Sequence, residues 1–180
     1  GMAAIIGLSE EKLKECLVEA RKYGVVEISN YNTPKQLVIG GEAKAVEVAI
    51  ELCKEAGARR AVPLKVSGPF HTPLLEEASV NLAKELNNIE FQDMKIPVLT
   101  NVTAEVIADS SEIKDLLIKQ VKSSVKWSET IRNMIDMGID TFIEIGPSRT
   151  LSGFLRDIDR NVTSFNVEDM KSLNKTLEGI

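Results

Sequence analysis

Residues 1–66 set apolar runs and amphipathic helices in one order, strand, helix, strand, strand, helix, strand, and that order leaves few folds open. Residues 3–8 are an apolar run with Gly1 ahead of it and Gly7 near its end, the pattern of a buried strand. Ser9 then caps a helix whose first turn carries Glu10 and Glu11, the favourable sign against the helix dipole. Leu13, Leu17, Val18 and Ala20 supply its inner face, and Gly24 ends it. Residues 25–29 read as a second strand, 30–35 as a turn containing Pro34, and 36–39 as a third strand. Gly40 and Gly41 open a second helix in which Val46, Ala49, Ile50 and Cys53 keep helical spacing, and Gly57 closes it. Residues 60–66 make the fourth strand. Two interleaved β-α-β units of this kind predict a ferredoxin-like sheet over residues 1–65.

Beyond it, short apolar strands alternate with helices, the pattern of an α/β layer on a parallel sheet. The spacing predicts a helix from Pro73 to about Asn88, with Leu74, Leu75, Ala78, Leu82 and Leu86 on one side. A strand over 96–100, helices over 111–121 and 128–137, and a strand over 141–145 follow. A helix over 149–158, a strand over 162–166 and a helix over 169–177 complete the chain. These strands are few for an independent domain.

A chain of 180 residues, 43% hydrophobic and 27% charged, can bury a core of its own and belongs with globular proteins. No apolar run approaches the ~20 residues of a membrane helix, no signal peptide opens the chain, and a cytoplasmic protein with no membrane partner is expected. Cys16 and Cys53 fall inside helices, so buried free thiols are expected, and two cysteines with one histidine give no metal site. The net charge of −5 argues against nucleic acid as a partner. Lys119, Lys122 and Lys126 would share one helical face if the helix ran on through Ser123 and Ser124.

The one histidine of the chain, His71, stands in Val66-Ser67-Gly68-Pro69-Phe70-His71-Thr72-Pro73. Gly68 and Pro69 interrupt the apolar strand, and Thr72-Pro73 forms a helix start with a hydroxyl N-cap and proline in the first turn. His71 is thus placed on a short turn between strand and helix, where rigid scaffolds hold catalytic groups. Histidine also titrates nearest neutrality, which suits a general acid or base.

Residues 67–75, with Ala78 and Leu82, resemble the histidine motif of malonyl-CoA:acyl carrier protein transacylases and the related acyltransferase domains of polyketide and fatty acid synthases. Three more stretches agree in order: residues 1–8, the Asn-x-Asn-x-Pro-x-Gln segment at Asn30 to Gln36, and Glu144-Ile145-Gly146-Pro147. The resemblance implies a fold in which the ferredoxin-like unit is inserted into an α/β-hydrolase-like subdomain, residues 66–180 forming the C-terminal part of the latter. The family's nucleophilic serine lies in a Gly-x-Ser-x-Gly elbow, and no such sequence occurs in these 180 residues. The nucleophile and the arginine that binds the malonyl carboxylate are therefore expected outside this chain.

What the resemblance implies for individual residues is specific. His71 is the general base and acid, and the backbone carbonyl of Gln120 orients its ring. Phe70 stands where the family's residue excludes a branched acyl group, and Asn32 borders the substrate cleft. Read from its place near the Gly-Pro turn and not from the resemblance, Glu144 is expected to have a structural role beside the sheet edge, with a functional role as the alternative. Malonyl-CoA is implied as substrate, with no permanently bound cofactor, and an acyl carrier protein and a coenzyme A thioester as partners. Fatty acid biosynthesis is the implied setting. An acyltransferase domain of a polyketide synthase, or a non-catalytic module binding carrier protein or coenzyme A, remain as alternatives.

Overall fold

The structure, a computed structural model, describes residues 1–180. The chain is an α/β protein that divides into two compact units, Gly1–Thr130 and Ile131–Ile180. The boundary drawn from the sequence near residue 65 falls inside the first.

The first unit opens with β1 (Met2–Ile6), α1 (Glu10–Ala20), β2 (Val26–Thr33), β3 (Gln36–Gly41), α2 (Ala43–Glu55) and β4 (Arg60–Pro63). The strands lie in the order β2-β3-β1-β4, and every adjacent pair is antiparallel. β1 is central, with Ile5 opposite Leu37 of β3 on one side and Ala61 of β4 on the other. Side chains alternate along a strand, so Ala3 and Ile5 of β1 join Ile39 of β3 in the core with Leu13 and Leu17 of α1 and Ala45 and Ala49 of α2. Each large side chain fully buried there contributes about 1.5–3 kcal/mol. Met2, Ala4 and Val38 form a small cluster on the other face.

Several local expectations are corrected. In α1 the buried residues are Leu13, Cys16, Leu17 and Ala20, while Val18 is 58% exposed. The i, i+3, i+4, i+7 spacing selects Cys16 and turns Val18 away. The segment 30–35 is mostly strand: β2 continues to Thr33, opposite Gln36, and the turn shrinks to Pro34 and Lys35. Breaks in register fall at Ser29 and Asn32, bulges that the pairing of β2 with β3 accommodates. Gly40 and Gly41 end β3 and do not open α2. A Cβ on Gly41 would lie 2.1 Å from the Val25 carbonyl oxygen, so close approach of two backbones requires that glycine. β4 stops at Pro63, short of the expected Val66.

After the His71 turn come α3 (Glu76–Leu86), α4 (Ile113–Lys122) and α5 (Trp127–Asp136), the last crossing the boundary between the units. On α3 the buried residues are Ser79 and Leu86, whereas Ala78 is exposed, as is Leu74 in the turn before the helix. The strand expected over 96–100 does not form. Only Leu99 bridges, and its partner is Val106 on the same loop, with Ile107 N–H donating to Val98 and Thr100 N–H to Glu105. A strand needs a neighbour along its length, and here the chain folds back on itself after a few residues.

The second unit holds β5 (Thr141–Ile145), α6 (Thr150–Ile158), β6 (Thr163–Val167) and α7 (Met170–Gly179). β5 and β6 pair in parallel from Thr141 opposite Thr163 to Ile145 opposite Val167, with α6 as the crossover a parallel pair needs. Asp169 and Ser172 close a capping box on α7. No helix of the chain is long and apolar enough to cross a membrane.

Candidate active site

His71 has φ of +59°, a left-handed backbone that is uncommon outside glycine. Its neighbour Thr72 holds it there. Thr72 is fully buried, its hydroxyl donates to the Pro69 carbonyl at 2.6 Å, and its methyl stands so close to Gly40 that a Cβ on that glycine would lie 3.1 Å away. Thr72 therefore does not cap a helix with its side chain, as its sequence context predicts. A single 3-10 turn, Pro73–Leu75, separates it from α3, and the hydroxyl closes the histidine turn.

The ring of His71 is partly buried, and its Nδ1 lies 2.9 Å from the backbone carbonyl oxygen of Gln120. A carbonyl oxygen only accepts, so in the neutral ring Nδ1 carries the hydrogen and Nε2 keeps its lone pair. The carbonyl is free to accept because α4 stops at Lys122, and the last carbonyls of a helix lack partners from a following turn.

The end of α4 is tied down on several sides. Ser79 Oγ of α3 donates to the Ile118 carbonyl at 2.8 Å, and Lys122 Nζ meets both carboxylate oxygens of Glu76 at 2.6 and 2.7 Å. The connection to α5 then runs beside β2. Ser124 Oγ donates to the Ile28 carbonyl, Val125 N–H to Ser29, and Tyr31 N–H to Val125. Because Ser123 is extended, the helix does not carry on through Ser124, and Lys126 does not join Lys119 and Lys122 on one helical face. Lys122 and Lys126 are instead paired with Glu76 and Glu129.

Phe70 is 44% exposed, and its ring edge reaches back to within 3.8 Å of where a Cβ on Gly68 would stand. Asn32 sits at a bulge of β2, partly buried, and makes no hydrogen bond to His71 or Gln120. Of the four residues singled out from the sequence, His71 and Gln120 are joined by a hydrogen bond, and Phe70 is next to His71 in the chain. Two residues escaped the sequence reading. Thr72 was legible only as a helix cap. Asn101, whose side-chain N–H donates to Gln120 Oε1 at 3.2 Å, carries no local signal at all.

Glu144 caps α6. One carboxylate oxygen accepts from Leu151 N–H at 3.0 Å, the other from the Ser152 N–H and hydroxyl, each at 2.7 Å. Burial by itself would raise its pKa, but these hydrogen bonds outweigh it and hold the carboxyl below the ordinary glutamate value. Cys53 is sealed in the core, where burial first and the neighbouring Cys16 second push its thiol up to about 12, so it supplies no thiolate near neutral pH. No three His, Cys, Asp or Glu side chains come together in a way that could hold a metal ion.

Residues 1–174 match the family model described as the acyl transferase domain. The malonyl CoA-acyl carrier protein transacylase of Bacillus subtilis is 41% identical over 178 residues, which are 98% of this chain and 56% of that protein. The crystal structure of the transacylase of the same name from Clostridium perfringens superposes with a TM-score of 0.96 at 45% identity, covering 99% of this chain and 56% of its own. A structure of a type II polyketide synthase acyl-carrier protein in complex with its malonyl-transacylase gives 0.96 at 37% identity, covering 99% of this chain and 58% of that one. The chain thus spans a little over half the length of these relatives.

Proposed function

The chain belongs to the acyl transferase domain family, and on that premise we propose that it supplies the general base of an enzyme moving a malonyl group from malonyl-CoA to an acyl carrier protein. The observation that carries this reading is the hydrogen bond from His71 Nδ1 to the Gln120 carbonyl, which leaves Nε2 ready to accept a proton. In the first half-reaction Nε2 takes the proton of a serine hydroxyl as its oxygen attacks the thioester carbonyl. The imidazolium returns that proton to the departing coenzyme A thiolate, leaving malonyl-serine. In the second, Nε2 takes the proton of the phosphopantetheine thiol, sulfur attacks the ester, and the proton goes back to the serine oxygen. The carbonyl opposite Nδ1–H stabilises the imidazolium in both halves.

The serine of this scheme and the arginine that would bind the malonyl carboxylate we assign to the rest of the full-length protein. The absence of Gly-x-Ser-x-Gly here and the greater length of the relatives support this. In the same reading residues 1–65 are a ferredoxin-like small subdomain, supported by the antiparallel order β2-β3-β1-β4. Residues 66–180 are the C-terminal part of an α/β-hydrolase-like subdomain, supported by the parallel pair β5 and β6. The setting is fatty acid biosynthesis in the cytoplasm, with malonyl-CoA as substrate, no resident cofactor and acyl carrier protein as partner. A polyketide setting is the second reading, favoured by the relative solved with a polyketide synthase carrier protein.

The test is malonyl transfer from malonyl-CoA to holo acyl carrier protein by the full-length protein. His71→Ala is expected to lower kcat roughly 10²–10⁴-fold, whereas Gln120→Ala, which keeps the carbonyl, loses less than about tenfold. Near-normal transfer by His71→Ala sinks the proposal. Phe70 is the specificity residue, its ring occupying the space a branch on the acyl chain would need. Phe70→Ser is expected to raise methylmalonyl use relative to malonyl by about 10–200-fold, the range one methyl can decide; an unchanged ratio removes that role. Asn32, at its bulge, is assigned to the substrate cleft.

A further inference from the structure

The last turn of a helix frays more readily than its middle, so a base that depends on a carbonyl there needs something to keep that carbonyl aimed. We propose that Asn101 is a positioning residue for His71: by holding the Gln120 side chain and the residue just before α5, it fixes the carbonyl that keeps the imidazole hydrogen on Nδ1.

Asn101 grips both ends of the α4–α5 connection. Its side-chain amide donates to Gln120 Oε1 at 3.2 Å, and its backbone carbonyl accepts from Lys126 N–H at 2.9 Å, one residue before α5 begins. Between these two points the chain is fastened along β2 by the bonds of Ser124 and Val125. The Gln120 carbonyl is therefore located by its own side chain, by the end of the connection and by the sheet.

Asn101 can act as an anchor because its own loop is stiff. Thr100 and Thr103 share a hydroxyl–hydroxyl bond at 2.8 Å, and the Thr103 N–H donates to Thr100 Oγ1 at 3.2 Å. Ala104 N–H donates to the Thr100 carbonyl at 2.9 Å, and Ala104 takes a left-handed φ of +63° while fully buried. Thr72 performs the matching task on the other partner, holding the His71 backbone against Gly40. The two partners of the catalytic hydrogen bond are thus fixed separately, one by Thr72 and the other by Asn101.

The inference rests on the reading of His71 as the base, but its test observes only the imidazole. In the long-range ¹H–¹⁵N spectrum of the labelled full-length protein, the ring signals that vanish in His71→Ala belong to His71 and show which nitrogen is protonated in the neutral form. In the wild type Nδ1 is expected to carry the hydrogen. Asn101→Ala is expected to lower the ratio of the Nδ1–H to the Nε2–H tautomer about fivefold, the size one neutral hydrogen bond sets. Gln120→Met keeps the carbonyl and loses the side-chain oxygen, so it should shift the ratio equally, and the double variant should shift it no further.

An unchanged ratio in a folded Asn101→Ala chain, or shifts that add in the double variant, overturns the inference. Should Asn101→Ala fail to fold, an unchanged ratio in Gln120→Met does the same. Neither result touches the acyl-transfer reading, which fails separately if the full-length protein moves no malonyl group while the wild-type ring keeps Nδ1–H.

Discussion

β1 and β5 are both five residues long and mostly apolar, yet β1 is buried from Met2 to Ile5 whereas Ile143 and Ile145 of β5 are 44% and 82% exposed. The difference lies in their neighbours. β1 has a strand on each side and contributes to apolar clusters on both of its faces. β5 has one partner, β6, and among residues 131–180 only Ile131 and Leu155 are buried apolar side chains. An apolar strand thus reports what it can bury, and the number of surfaces brought against it determines what it does bury.

Three substitutions sharpen this comparison. Ile5→Ala, in the centre of β1, should lower unfolding free energy by about 2–5 kcal/mol, read from urea unfolding, because the side chain leaves a cavity that strands on both sides keep open. Glu144→Gln should cost about 0.5–2 kcal/mol near neutral pH, the range of a helix cap. Its sign with pH follows from the lowered pKa of Glu144 in the folded chain. The carboxylate's contribution is complete above the unfolded-state value, and it is lost as pH falls through the folded value, because the unfolded chain binds the proton first. The variant should therefore show a flatter acid limb, and identical acid limbs would remove the cap from the account. Ile145→Ser should change stability by less than about 0.5 kcal/mol. A loss there as large as that of Ile5→Ala would mean that β5 is buried after all, and the comparison would fail.

The pattern of elements was readable because it rests on local chemistry. The Ser9 cap opens α1 at Glu10, and the short apolar run over 141–145 coincides with β5. Misreadings arose where a distant partner changed the outcome. Gly40 and Gly41 look like a helix start, yet they serve the contact of β3 with the backbone of Val25 and the fit against Thr72. Residues 96–100 have strand composition without a strand's neighbour. At the site, His71 stood out as a lone histidine between turn residues, while Gln120 was indicated by family resemblance and not by periodicity.

The amino-acid sequence by itself determined the alternation of strands and helices, the turn that carries His71 and the lack of a Gly-x-Ser-x-Gly elbow, because each depends on residues a few positions apart. Tertiary structure alone decided that Nδ1 of His71 meets a carbonyl 49 residues away, and that Asn101 stands behind Gln120 at a separation of 19. Contacts at such separations depend on where α4 ends and on how its connection is bonded along β2, which no local pattern encodes.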